Sequence, residues 1–282
     1  ERTLINTAME RLAALGRLRS CGQLVFIVAI SVGLAAGQEI GSSVVGTEFD
    51  FIIDEDESVY AGIRFVDRAL AEMPDKRDDA ELMQQAYEFE AGFRDGSRIR
   101  IFVDADFNTT DAAEAEAKRY CGPLGRLPSV LRKGVARLVV HRGGKDTTAF
   151  SDEGLIVVYS ENATVRISNH DLEETIFHES VHAAWDKGHA ASEGWKRAQH
   201  ADGNFATLYA KRNPRREDLA ETALFAYTLT HHPTRLPNEL SKTLRRRIPH
   251  RIAYVAELIP AGKPIMDLPQ EKPDIEAAPS KR

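Results

Sequence analysis

The chain has 282 residues, with 37 basic and 43 acidic side chains and a formal net charge of −6. That balance argues against a general affinity for nucleic acid, and 2 cysteines cannot build a disulfide scaffold, so the fold must rest on a packed core. At this length one compact domain with a sizeable core is feasible, and no internal repeat divides it.

At the N-terminus, Arg11, Arg17 and Arg19 precede the uncharged apolar run Leu24–Leu34, and the small residues Ala35-Ala36-Gly37 follow it. The run is too short for a membrane span, and the pattern predicts a secretory signal peptide over residues 1–37, cleaved near Gly37 to leave Gln38 first. Met9 would make a better start than the leading glutamate, because it leaves a conventional basic region ahead of the apolar one. The expected location is therefore secreted or periplasmic. No other segment is long and apolar enough to cross a bilayer. Cys21 falls in the signal, which leaves Cys121 without an intramolecular partner; Arg119-Tyr120-Cys121-Gly122-Pro123 carries no base to activate it, so it reads as a structural thiol.

The next stretch alternates in type. Composition predicts helices around Val59–Met73 and Ala80–Tyr87, a strand at Ser97–Val103, an Ala- and Glu-rich helix at Asp111–Tyr120, a short helical continuation at Leu127–Leu131 and a strand at Val135–His141. Ala149-Phe150 and Leu155–Tyr159 read as two short strands separated by the turn-like Ser151-Asp152-Glu153-Gly154. The fold class is α+β, a small mixed sheet with helices packed on it.

A helix follows, with Asn169 or Asp171 as its cap, Glu173 and Glu174 in its first turn where the macrodipole favours negative charge, and an expected left-handed stop at Gly188. Phe177, Val181, Ala184 and Trp185 recur at helical spacing and mark its buried face. The helix carries His178-Glu179-Ser180-Val181-His182. Residues four apart on an α-helix point in nearly the same direction, so His178 and His182 can offer two imidazole nitrogens to one zinc ion. A catalytic zinc site takes three protein ligands and keeps a fourth position for water, and Glu179 would stand where it can take that water's proton.

The third ligand has to come from elsewhere. Asn213-Pro214 signals the start of another helix running to Tyr227, on which Glu217 and Glu221 fall one turn apart on one face. Glu217 can ligate the metal while Glu221 supports one of the histidines. His189, His200, His231 and His232 are also near in sequence, but His189 is misplaced for the spacing of a three-histidine site, and Glu217 is the better candidate. Farther on, the basic cluster Lys242–Arg251 reads as a solvated helix surface, and residues 261–282 read as a disordered tail.

His178-Glu179-x-x-His182, Tyr209 and Glu217-Asp218-Leu219-Ala220-Glu221 together resemble the zinc-peptidase domain of the anthrax lethal factor family, a branch of the zincin metallopeptidases. The resemblance covers roughly residues 155–227 and departs from the family in Ser180-Val181, in the short interval between His182 and Glu217, and in an offset of the tyrosine. It implies a zincin-like fold over residues 38–260, with the motif-bearing part at about 147–231. It also implies His178, His182 and Glu217 as zinc ligands, Glu179 as general base, Tyr209 as oxyanion donor and Glu221 as supporting carboxylate. The expected activity is zinc-dependent hydrolysis of a peptide or protein substrate. A non-catalytic binding protein on the same fold, with a structural or degenerate metal site, is the alternative.

Overall fold

The computed structural model describes residues 39–47, 49–77, 82–262 and 265–268, which fall in the unit Ala36–Arg282. The expected signal peptide, residues 1–37, and the end of the expected tail, residues 269–282, lie outside the described residues. Among the described residues no helix is long and apolar enough to cross a membrane.

The architecture is α+β. Strands β1 (Tyr60–Glu72), β2 (Met83–Phe93), β3 (Arg98–Asp104), β4 (Arg137–His141), β5 (Phe150–Asp152) and β6 (Leu155–Tyr159) form one mixed sheet in the order β1-β2-β3-β4-β6-β5. The β3–β4 and β4–β6 pairs are parallel and the others antiparallel. The helices are α1 (Thr110–Arg126), α2 (Ser129–Arg132), α3 (Ser160–Ser168), α4 (Leu172–Trp185), α5 (Glu193–Asp202), α6 (Leu208–Arg212), α7 (Asp218–His231), α8 (Asn238–Arg247) and α9 (Pro249–Leu258).

Alternation along the strands divides the core. Ile99, Ile101, Val103, Leu138, Val140, Ile156 and Val158 point to one face, into the main core beneath α1, α4 and α7. Phe102, Val139, Leu155 and Val157 point to the other, into a smaller cluster with Met73 and Ala86. Period-two alternation in β3, β4 and β6 thus buries both faces of the central strands, as a parallel segment requires.

Where helices are expected at Val59–Met73 and Ala80–Tyr87, the described residues form strands β1 and β2 instead; residues 78–81 lie outside the described residues. Their Ala, Glu, Arg and Leu content favours helix locally, but pairing overrides propensity. Arg64 lies opposite Glu90, with an ion pair at 3.1 Å, and Phe65 lies opposite Phe89, with ring centroids 5.6 Å apart edge to face. Such cross-strand pairs are the unit of sheet stabilisation, and β2, between β1 and β3, has its hydrogen bonds satisfied on both sides.

Helix α4 lies tightly against the loop before β4: a Cβ added at Gly134 would stand 2.3 Å from the Ala184 Cβ, so only glycine allows this approach. The Gly154 amide donates to the Ala183 carbonyl at 3.0 Å, which fastens the β5–β6 turn to the same helix. Asp171 stands at the N-cap, but its carboxylate accepts from Arg166 rather than from the helix amides. At the other end the helix does not stop at a left-handed Gly188. It continues into a π turn, Asp186–Ala190, which absorbs that glycine. Beyond Pro260 the chain still makes contacts: Ser129 N donates to Ile265 O at 3.0 Å, and Asp267 N donates to Ser129 Oγ at 2.9 Å.

Candidate metal centre

Both histidines project from the middle of α4, where helical spacing alone sets them one turn apart. His178 Nε2 and His182 Nε2 are 3.2 Å from each other, and Glu217 Oε2 is 3.3 Å from the first and 3.2 Å from the second. All three side chains are buried, and the group could hold a metal ion. Glu217 is not within its helix, as Asn213-Pro214 would suggest. Residues 213–217 form turns in which Glu217 N donates to Asn213 O at 2.9 Å, and α7 starts at Asp218. The proline that permits a helix start here opens a turn instead.

The hydrogen-bonding arithmetic of this group leaves a gap. His182 Nδ1 lies 2.9 Å from Asp186 Oδ2, an arrangement that puts the ring proton on Nδ1 and a lone pair on Nε2. That lone pair then faces a second imidazole nitrogen and a carboxylate oxygen, an arrangement that calls for a cation. Burial alone would lower the His182 pKa, but Asp186 and Glu217 together push it up to about 10. Burial raises Glu217, yet the two imidazoles hold its carboxyl well below the usual carboxylate range.

Asp186 was not singled out from the sequence, although its position four residues after His182 on one helix face was a readable signal. Glu221, expected beside one of the histidines, is fully buried with Oε1 3.8 Å from His178 Nδ1, which has no hydrogen-bond partner among the described residues. Its carboxylate accepts from Ser42 Oγ at 2.8 Å, from Ser43 N at 2.6 Å and from Thr207 Oγ1 at 2.7 Å. The serine contacts join positions almost 180 residues apart and left no local trace in the sequence.

Glu179 and Tyr209 line the same cavity, of ≈ 1140 Å³, as His178, His182 and Glu217. Glu179 Oε2 accepts from Ser151 Oγ on edge strand β5 at 2.6 Å, so the carboxylate is held from the sheet side. Tyr209 stands near the start of α6 and is 40% exposed. Burial, together with the nearby Glu217 carboxylate, pushes its hydroxyl up to about 12, so it remains a donor at neutral pH.

None of the other nearby histidines joins the group. His189 bonds to the Tyr254 hydroxyl, His231 to the Ile259 carbonyl and His232 to the Tyr227 hydroxyl. Cys121 is buried, with its thiol pushed up to about 12 by burial, which fits an inert structural role.

A second buried polar cluster, next to Glu217 in sequence, joins α5, α7 and α9. Arg251, at the end of the basic run expected to be solvated, is buried: it donates to Asp202 at 3.0 Å and to both oxygens of Asp218 at 2.7 Å. Asp218 also accepts from Gln199 Nε2 at 2.7 Å. The residue adjoining Glu217 is therefore locked in place by a charge that composition alone would assign to the surface. Comparison with protein-family profiles, with curated proteins and with solved structures yields no match to this chain.

Proposed function

We propose that this chain is a zinc-dependent endopeptidase of the zincin type, secreted or periplasmic, acting on a peptide or protein substrate. The observation that carries this reading is the convergence of His178 Nε2, His182 Nε2 and Glu217 Oε2 within 3.3 Å of one another. Donor atoms placed 2.0–2.1 Å from a tetrahedral zinc ion stand about 3.3 Å apart, so the donor set has the spacing that zinc requires. The pre-set tautomer of His182, with Nδ1 held by Asp186, points the same way.

When bound, zinc supplies a Lewis acid able to polarise a carbonyl and activate water. The chain's own residues account for the proton movements of amide hydrolysis. Glu179 accepts a proton from the attacking water as its oxygen bonds to the carbonyl carbon. It then delivers that proton to the departing amine as the C–N bond breaks. Tyr209 donates its hydroxyl hydrogen to the developing oxyanion. Ser151 holds one carboxylate oxygen of Glu179 and leaves the other for water, while Asp186 keeps His182 in the metal-binding tautomer.

The test is zinc content and hydrolysis of a mixed peptide substrate by the parent chain, Glu217→Ala and Glu179→Gln. One zinc per parent chain, much weakened in Glu217→Ala, together with Glu179→Gln that keeps zinc and loses activity by 10²-fold or more, is the expected outcome. Full activity in Glu179→Gln would remove Glu179 from the mechanism. Zinc bound by a parent chain that cleaves nothing would favour a non-catalytic binding protein.

A further inference from the structure

The residues nearest the start of the described chain contribute to the site in three ways that the proposed reaction does not use. Ser42 Oγ and Ser43 N donate to the two oxygens of the buried Glu221, at 2.8 and 2.6 Å. The carbonyls of Ile40 and Gly41 accept from Leu208 N and Tyr209 N, at 2.8 and 2.9 Å, satisfying amides that α6 leaves open in its first turn. Gly41, Ser42, Val44 and Val45 form one wall of the cavity. One short segment therefore grips the supporting carboxylate, the backbone of the oxyanion donor and the space for substrate.

The link to the metal runs through an unfinished contact. Glu221 Oε1 stops 3.8 Å from His178 Nδ1, beyond hydrogen-bond range, and that nitrogen is buried and unpartnered. Ligation through Nε2 would fix the imidazole proton on Nδ1, which then faces the Glu221 carboxylate. Three donors already hold Glu221, so closing this gap draws on the segment that supplies two of them.

We infer that Ile40–Val45 is a working part of the metal centre: Ser42 and Ser43 position Glu221, Glu221 positions His178, and metal binding and docking of the segment strengthen one another. Ser42 and Ser43 are positioning residues, acting on the ligand through Glu221. The inference rests on the metal reading of the His178–His182–Glu217 group. Linkage makes the effect reciprocal: whatever the segment adds to zinc affinity, zinc returns as tighter docking of the segment.

Zinc affinity of the full chain, measured against a competing chelator, is compared with that of Ser42→Ala and Ser42→Thr. Amide hydrogen exchange of the parent is followed with and without zinc. We expect Ser42→Ala to bind zinc about 10-fold more weakly, the lower end for loss of an outer partner, with affinity restored by Ser42→Thr. Zinc should also slow exchange at the amides of Ser43, Leu208 and Tyr209. A purely structural serine would lower thermal stability and leave zinc affinity alone. Equal zinc affinity in the parent and Ser42→Ala, or exchange at those three amides that ignores zinc, overturns the inference while leaving the metal reading intact. A parent chain that binds no zinc overturns both.

Discussion

Glu217 and Asp218 are consecutive buried carboxylates, and they belong to two clusters with opposite electrostatics. Asp218, Asp202 and Arg251 pair among themselves and are closed in charge: the buried guanidinium donates to both carboxylates through Nε and Nη1, and His250 meets Asp202 from outside at 2.8 Å, while Arg251 Nη2 has no partner among the described residues. Glu217, His178 and His182 stay open toward the cavity: two imidazole nitrogens and Glu217 Oε2 crowd at 3.2–3.3 Å, and Arg216 reaches only the other carboxylate oxygen, at 3.5 Å. A closed cluster is a structural fastening. An open one, built at similar cost in desolvation, could hold an ion.

The largest expected effect is on the closed cluster. Arg251→Met leaves Asp202 and Asp218 buried without their cation and should cost about 3–5 kcal/mol, lowering the melting temperature by roughly 10 °C. Thermal unfolding of parent and variant measures this, and an unchanged melting point would mean that the triad contributes nothing to the fold.

A third buried carboxylate lies between these extremes. Glu174 on α4 accepts from the amides of Phe51 and Ile52, each at 3.0 Å, but meets no cation, and burial pushes its pKa from 4.5 up to about 8. The folded state thus holds the proton more tightly than the unfolded one. Its stabilising contribution is fully present below pH 4.5 and is lost as pH rises through 8, on the order of a few kcal/mol across that window. Glu174→Gln keeps an acceptor for both amides without the charge. The stability gap between variant and parent should open in the variant's favour between pH 5 and about 9; a gap constant with pH would show that Glu174 does not titrate in this range.

The smallest effect belongs to the open cluster's outer partner. Asp186→Asn removes the charge that fixes the His182 tautomer and should weaken zinc binding roughly 10-fold to 100-fold, with a smaller loss of metal-free stability because Asp186 helps to raise the His182 pKa. Chelator competition and thermal unfolding separate the two quantities. A large loss of metal-free stability would instead place Asp186 with the fastenings.

Much of the site was readable along the chain. His178, Glu179, His182 and the later Glu217 and Glu221 announced themselves because helix periodicity is local: residues four apart share a face wherever the helix sits. Ile101, Val103, Leu138, Val140, Ile156 and Val158 likewise revealed the strands that support the site, since alternation is also local. The same reasoning misread β1 and β2, whose Ala-, Glu- and Arg-containing sequences favour helix until a partner strand supplies the cross-strand pairs.

By itself, the sequence determined the α+β class, the helix that carries His178 and His182, and which side chains could meet a metal. Only the tertiary structure decided that those donors converge, that Arg251 leaves its basic run for the interior, and that Ser42 and Ser43 reach Glu221 from almost 180 residues away. The physical reason is range: periodicity and propensity act within a few residues, whereas the burial of a charge or the closing of a hydrogen bond depends on which distant segment the fold brings alongside.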